Sequence, residues 1–211
     1  MSTKRYVVVE GPIGAGKSIL ARRLAGHWGM TLAAEQAEEN PFLARFYRQF
    51  QHHALATQLC FLMQRRRVAR EMVQGELLGK PVVSDFMFEK DDLFARINLD
   101  EQELALYRQL AAELTVEHPT PDLVIYLDAS PETLLSRLAS RVPGPEASFP
   151  DGYIKRVHAA YSEFFYEYDA APLLIVNTDH LNLIDDRDDF DLLLRCIGEM
   201  RGQRSYFNKS V

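Results

Sequence analysis

Residues 11–18 read Gly11-Pro12-Ile13-Gly14-Ala15-Gly16-Lys17-Ser18, and this stretch decides the fold. It fits the pattern G-x-x-x-x-G-K-[ST] at every fixed position. The preceding run, Tyr6-Val7-Val8-Val9, is apolar and β-branched, which predicts a buried strand. After the motif, apolar residues recur at helical spacing: Ile19, Leu20, Leu24 and Ala25. A glycine-rich loop between a strand and a helix is where backbone N–H groups and the helix dipole bind phosphate.

The motif therefore predicts a phosphate-binding loop with distinct roles along its length. The backbone from Gly11 through Pro12, Ile13, Gly14, Ala15 and Gly16 would surround the phosphates. Lys17 would reach the outer phosphates and Ser18 would bind Mg²⁺. An ordinary glycine-rich turn is the alternative, but it does not explain why Lys and Ser follow the last glycine.

Composition favours a soluble protein and argues against a nucleic-acid-binding domain. The 211 residues suit one domain, or one domain with a lid, and 47% of them are hydrophobic, enough for a full core. The net charge of −6 argues against a nucleic acid polymer as partner, because such domains usually carry a basic excess. Cys60 and Cys196 lie in apolar helical contexts, so we expect them to fill the core and not to form a disulfide, and no metal-ligand spacing is present. No apolar run approaches 18 residues, so we expect a cytoplasmic protein without a membrane partner.

Hydrophobic patterns along the chain predict an α/β protein with a five-stranded, mostly parallel sheet. The expected strands are 6–10, 31–35, 81–85, 123–128 and 173–178. The expected helices are 16–28, 41–50, 53–76, 99–118, 131–141, 152–170 and 188–200, with a loosely held tail. In helix 99–118 the candidate core residues are Leu104, Leu106, Leu110, Leu114 and Val116. The architecture would be a single P-loop-type three-layer α/β/α domain (1–211), with a short lid at about 137–152.

Two expected strands end close to an acid. Glu35 follows the second strand, and Asp85 follows the third. Ligands of open α/β sheets bind at the carboxyl ends of the strands, so both acids should lie near the phosphate loop. A carboxylate at Glu35 could accept a proton from a hydroxyl. The alternative for Glu35 is a solvated loop acid.

Further polar side chains could complete a site for phosphoryl transfer. Arg137 and Arg141 lie four residues apart on one helix and could brace phosphates. Tyr47, Gln58 and Arg65 could form the wall of an acceptor pocket, and the Gln58 amide suits a nucleobase edge. Tyr47 could instead belong to the core, and Gln58 to the surface.

Together these motifs resemble those of the deoxynucleoside kinase family (deoxyguanosine, deoxyadenosine and deoxycytidine kinases). The matching stretches are the 11–18 loop, Glu35, Asn40-Pro41-Phe42-Leu43 with Phe46-Tyr47, Gln58 with Phe61-Leu62 and Arg65, and 134–141 with Tyr153 and Tyr161. The resemblance spans roughly residues 5–178, and the Asn-Pro-Phe-Leu and Gln-x-x-Phe-Leu combination is its most specific part.

The resemblance implies ATP-dependent phosphorylation of a deoxynucleoside at its 5′-hydroxyl, in nucleotide salvage. Glu35 would be the general base, and Tyr47 and Glu146 would hold the sugar 3′-hydroxyl. Gln58 and Arg65 would meet the base, with a purine slightly favoured. The residues implied for ATP and Mg²⁺ are Lys17, Ser18, Arg137 and Arg141, with Asp85 as an acid near the metal. A homodimer through the long helices is also implied.

The chain departs from the family pattern at two arginines. Alignment from the end of the third strand gives Asp85 the acid's place and puts Phe86 where the family has arginine. Alignment from Phe94-Ala95 would instead put Asp85 in the arginine's place. In the lid, Pro143 stands in place of a second arginine. Lys90, Arg96 or Lys155 could supply the missing charge.

Three functions therefore remain open at this point. The first is an active deoxynucleoside kinase. The second is a regulatory module that binds a nucleotide or nucleoside with little turnover. The third is a P-loop kinase for another small metabolite, similar to the family only in fold.

Overall fold

The computed structural model describes residues 5–74, 80–140, 149–150 and 152–209. The strands in these ranges are β1 (Tyr6–Glu10), β2 (Thr31–Ala33), β3 (Val82–Ser84), β4 (Leu123–Asp128), β5 (Leu173–Asn177) and β6 (Arg204–Phe207). The α-helices there are α1 (Lys17–Trp28), α2 (Leu43–Arg48), α3 (Phe50–Val73), α4 (Lys90–Asn98), α5 (Glu101–Glu113), α6 (Pro131–Ala139), α7 (Tyr153–Glu167) and α8 (Arg187–Glu199). The strands form one parallel sheet in the order β2-β3-β1-β4-β5-β6. The predicted α/β class with a parallel sheet is confirmed.

Strand β1 is an interior strand of the sheet, between β3 and β4, and all five of its residues are buried. Val8 pairs with Ser84 of β3 on one side and with Val124 of β4 on the other. The three valines of β1 are fully buried, as a parallel strand covered on both faces requires. The loop after β1 therefore leaves the sheet between the carboxyl ends of β3 and β4, and this fixes the position of residues 11–18.

Glycine is required in that loop for two separate reasons. Gly11 approaches β4 so closely that a Cβ atom would lie 2.5 Å from the Leu127 carbonyl oxygen. Gly16, which precedes α1, has a φ of +97°, a left-handed conformation that favours glycine. The chain can thus turn sharply out of β1 and begin α1, whose Leu20 and Leu24 are buried in the core.

Helix α5 is shorter than the predicted helix 99–118, and the prediction that Leu106 and Leu110 belong to the core is wrong. Leu106 is 46% exposed and Leu110 is 36% exposed, whereas the neighbouring Tyr107 is only 1% exposed. Leu104 and Leu114 are half-buried against the smaller core cluster that contains Tyr107. The spacing of apolar residues does not by itself show whether a helix face packs against the core or is exposed to solvent.

Within the described residues the sheet has six strands, one more than the five predicted. The tail after α8 forms β6, which pairs in parallel with β5, so the expectation of a loosely held tail is wrong. Arg204 anchors this strand by donating hydrogen bonds to the carbonyl oxygens of Tyr166 (3.0 Å) and Tyr168 (2.6 Å). A four-residue edge strand that is only half-buried leaves too weak a hydrophobic pattern to predict.

Two simpler expectations can also be compared with the structure. Cys60 and Cys196 are both free and half-buried, in agreement with the prediction that they do not form a disulfide. No helix within the described ranges is long and apolar enough to cross a membrane.

Candidate active site

Lys17, at the end of the 11–18 loop, forms hydrogen bonds with the backbone at the start of the same loop. The Lys17 ammonium donates hydrogen bonds to the carbonyl oxygens of Gly11 (2.8 Å) and Pro12 (3.1 Å). Gly16 has no side chain to cap α1, so the first N–H groups of the helix face the loop. These N–H groups and Lys17 are the donors that an anion would meet here.

A cleft of about 200 Å³ leads from this loop across the carboxyl edge of the sheet. Its walls come from the loop, α2, α3, α4 and the start of α7. Among the lining residues are Lys17, Ser18, Glu35, Tyr47, Gln58, Phe61, Arg65, Lys90, Phe94, Asn98 and Tyr153. The cleft thus brings together the predicted residues Lys17, Ser18, Glu35, Tyr47, Gln58 and Arg65, which are far apart in sequence.

Glu35 lies two residues beyond β2 and is held from three sides. Its carboxylate accepts hydrogen bonds from the Lys90 ammonium (2.9 Å) and from the Arg65 guanidinium. Its backbone N–H donates to the Asp85 carboxylate (2.6 Å). Burial by itself would raise the pKa of Glu35, but Lys90 and then Arg65 outweigh burial and lower this pKa to about 2. Glu35 is therefore an ionised carboxylate with a fixed orientation.

Arg65 connects Glu35 with helix α4. Its guanidinium also forms an ion pair with Asp91, at the first turn of α4. Burial raises the pKa of Asp91, although the Arg65 guanidinium acts in the opposite direction. Gln58 lies on the same helix as Arg65 and is 3% exposed. The structure thus excludes a surface location for Gln58.

Sequence reasoning did not assign any site role to Glu10. This last residue of β1 is fully buried and lies 3.7 Å from the Lys90 ammonium. It also accepts hydrogen bonds from the backbone N–H groups of Gly11 (2.9 Å) and Met87 (3.0 Å) and from the Tyr161 hydroxyl (3.1 Å). A charged residue directly after three buried valines was the signal that could have revealed it. Phe94 and Asn98, which also line the cleft, gave no such signal.

Arg137 lies on another side of the loop, by a second cavity of about 440 Å³. Its guanidinium donates hydrogen bonds to the Thr178 hydroxyl (3.0 Å) and to the Thr178 carbonyl oxygen (2.5 Å). Gly14 and Gly16 line both this cavity and the cleft. The loop therefore separates Arg137 from Glu35. Arg141 and Glu146, together with most of the predicted lid, lie outside the described residues.

The remaining predicted residues are Asp85 and Phe86. Asp85 is buried at the end of β3 and its carboxylate holds the Glu35 backbone. The Phe86 ring is also buried and packs edge-on against Phe88, 5.5 Å away. Across the described ranges, no group of three or more His, Cys, Asp or Glu side chains is arranged to hold a metal ion. Any Mg²⁺ here would need phosphate or water oxygens in addition to Ser18 and Asp85.

Comparison with known proteins finds a matching family model and similar relatives. A model of the family described as deoxynucleoside kinase matches residues 7–200. A deoxyguanosine kinase of Bacillus subtilis is 28% identical over 205 residues, which cover 95% of this chain and 99% of that protein. A deoxyadenosine kinase of Lactobacillus acidophilus is 30% identical over 209 residues, which cover 92% of this chain and 95% of that protein.

Solved structures show the same fold. A deoxyadenosine kinase from M. mycoides with dCMP and dCDP bound superposes with a TM-score of 0.80 at 22% identity. A structure of deoxyadenosine kinase from M. mycoides with dATP bound gives a TM-score of 0.78 at 23% identity. Each alignment covers 92% of this chain and 100% of the other. The resemblance that the motifs indicated is confirmed.

Proposed function

This chain belongs to the deoxynucleoside kinase family, and we propose that it transfers the γ-phosphoryl group of ATP to the 5′-hydroxyl of a deoxynucleoside. The product is the 5′-monophosphate, and the reaction serves nucleotide salvage in the cytoplasm. Family membership makes the chain a phosphotransferase, in preference to a binding module without turnover.

The observation that carries this proposal is one cleft that holds both a phosphate-binding loop and an ionised carboxylate. Lys17 and Glu35 line the same cavity, and Gln58 lies on its wall. Phosphoryl transfer depends mainly on positioning and charge neutralisation, so the reaction needs no covalent intermediate. Glu35 accepts the proton of the 5′-hydroxyl as the hydroxyl oxygen bonds to the γ-phosphorus, while the bond from that phosphorus to the bridging oxygen breaks and ADP leaves.

The donor occupies the other side of the loop. The second cavity, lined by Arg137 and by residues between Thr178 and Ile184, receives the base and sugar of ATP. The phosphates then follow the loop towards Lys17. Arg137, and Arg141 outside the described residues, neutralise charge on these phosphates.

The oxygen donors near the loop suit Mg²⁺, which prefers hydroxyl, carboxylate, phosphate and water oxygens. Ser18 and Asp85 would hold the ion, directly or through water. Bound Mg²⁺ would neutralise charge on the β- and γ-phosphates.

The acceptor deoxynucleoside lies along α2 and α3. Tyr47 and Glu146 hold the sugar, Gln58 pairs with the base edge, and Arg65 lies beside the base. We favour a purine, because the two relatives described above are named as deoxyguanosine and deoxyadenosine kinases.

The first test is a direct assay with ATP and Mg²⁺ against deoxyadenosine, deoxyguanosine, deoxycytidine and thymidine. We expect turnover of one or two of them, with the product identified as the 5′-monophosphate. Glu35→Gln should lower kcat by about 10²–10⁴-fold, the usual contribution of a general base, while nucleoside binding measured by calorimetry persists. Glu39→Gln, an exposed acid nearby, is the matched control. Full activity of Glu35→Gln would remove Glu35 from the mechanism, and no turnover by wild type would refute the proposal.

A further inference from the structure

Lys90 is the one of the three candidate cations named from the sequence that lines the cleft. It is the first residue of α4, is 4% exposed, and lines the cleft beside Lys17. A buried ammonium requires partners, and here it has two carboxylates. Its nitrogen lies 2.9 Å from a Glu35 carboxylate oxygen and 3.7 Å from a Glu10 carboxylate oxygen.

The Glu10 carboxylate is held by hydrogen bonds from several parts of the chain, and it lies beside Lys90. Its two carboxylate oxygens accept hydrogen bonds from three donors: Gly11 N–H, Met87 N–H and the Tyr161 hydroxyl. These donors come from the phosphate loop, the segment after β3, and α7. Lys90 therefore connects a carboxylate locked to the phosphate loop with the carboxylate that faces the acceptor.

We propose that Lys90 is a positioning residue for the reaction, which holds Glu35 in register with the phosphate loop through Glu10. This inference rests on the proposed function. Lys90 also brings a positive charge into the cleft. Phe86, which stands where the family has arginine, has a buried ring and brings none.

The other two candidate cations lie elsewhere. The Arg96 side chain is 66% exposed and forms an ion pair with Asp92. Lys155 is an exposed residue of α7. Neither residue lines the cleft. Both are therefore suitable controls for the removal of one positive charge.

The test compares Lys90→Gln and Lys90→Arg with wild type, using the full chain with ATP, Mg²⁺ and the best deoxynucleoside. We expect Lys90→Gln to lower kcat by about 100-fold, the lower range for a disabled general base, while KM for the deoxynucleoside changes less than about threefold. Lys90→Arg should recover most of kcat, since it restores the charge. Arg96→Met and Lys155→Met should remain within about twofold of wild type, as expected for exposed surface changes.

A double-mutant cycle with Glu35→Gln shows whether Lys90 acts through Glu35. If it does, Lys90→Gln should cause little further loss when Glu35 is already Gln. Losses that multiply would overturn the positioning role. So would an unchanged kcat in Lys90→Gln, or equal losses in the Gln and Arg variants.

Folding of each variant is checked by thermal unfolding, because Lys90→Gln leaves two buried carboxylates with less compensation. Gln retains a hydrogen-bond donor for them. If Lys90→Gln does not fold, Glu10→Gln is measured instead, because it removes the link to the phosphate loop and leaves Lys90 paired with Glu35; it should also lower kcat. Wild-type turnover with an unaffected Lys90 variant would refute only this inference. Absence of turnover in wild type would refute the proposed function and this inference with it.

Discussion

Glu35, the general base of the proposed reaction, combines two properties that usually oppose each other. It is largely buried, yet its two cationic neighbours keep it charged. Burial removes competing water, and the two donors restrict the carboxylate to one orientation. A base with a low pKa is a weak proton acceptor, so its contribution comes mainly from position and from a permanent negative charge near the attacking oxygen.

The pH dependence of the reaction follows from this environment. The pKa of Glu35 is lowered to about 2, so Glu35 stays ionised as the pH falls and protonates only in strong acid. We expect kcat/KM for the deoxynucleoside to show no acidic limb from Glu35 between pH 5 and 8. In Lys90→Gln the pKa of Glu35 should rise, because one of its two cations is lost while its burial remains.

The measurement is kcat/KM against pH for wild type and Lys90→Gln, with product quantified by chromatography so that no coupling enzyme limits the range. The charged groups around Glu35 include Lys90 on α4, Arg65 on α3, Asp85 after β3 and Lys17 on α1. Identical acidic limbs in the two proteins would contradict the assigned cause of the low pKa.

Helix α4 is the element that brings most of the unanticipated residues to the cleft. Lys90 and Asp91 contact the site from its first turn, and Phe94 and Asn98 line the cleft from later turns. Helix α5 begins only three residues after α4 ends. The start of α5 is closed by a capping box, in which Asp100 accepts the Glu103 N–H (2.8 Å) and Glu103 accepts the Asp100 N–H (3.4 Å).

This cap makes a prediction about stability. Asp100→Ala should lower the free energy of unfolding by about 1 kcal/mol, the usual cost of losing an N-cap side chain. Activity at 25 °C should change little, because Asp100 does not line the cleft. Urea unfolding followed by circular dichroism measures the change, and Gln102→Ala, an exposed residue of the same helix, is the control. Equal stability of the two variants would contradict a role for the cap.

Sequence could predict those parts of the fold and site whose information is local. The phosphate loop has a fixed spacing, and Glu35 follows a short apolar stretch directly. From sequence Lys90 was only one of three candidate cations, because its partner Glu35 is 55 residues away and only the packing of α4 brings the two together. Strand β6 was missed for a related reason: its backbone pairing with β5 stabilises it, and its side chains do not form an apolar pattern.

At the scale of the whole molecule, α3 and α5 present apolar side chains to solvent. Met63 on α3 is 53% exposed, and Leu106 and Leu110 lie exposed on α5. Helices α3 and α5 pack against each other, so these residues belong to neighbouring surfaces. We propose that a second copy of the chain covers them, in a homodimer formed through the long helices.

Sedimentation equilibrium tests this directly. Wild type should have twice the 24.2 kDa mass of one chain at micromolar concentration, and Met63→Glu and Leu106→Glu should shift the equilibrium towards the single-chain mass. Tyr166→Glu on α7, where the side chain is 81% exposed, should leave the dimer intact. A single-chain mass for wild type at every concentration would refute the dimer.

The interior position of β1 also governs how the protein must fold during its synthesis. Val7 pairs with Val83 and Leu123, so β1 leaves the ribosome long before either neighbour exists. At about 5–20 residues per second, translation takes roughly 4–15 s to reach β3 and roughly 6–23 s to reach β4. During that interval the nascent chain carries an unpaired, strongly apolar strand. Cellular chaperones would therefore act on the same residues that later support the phosphate loop.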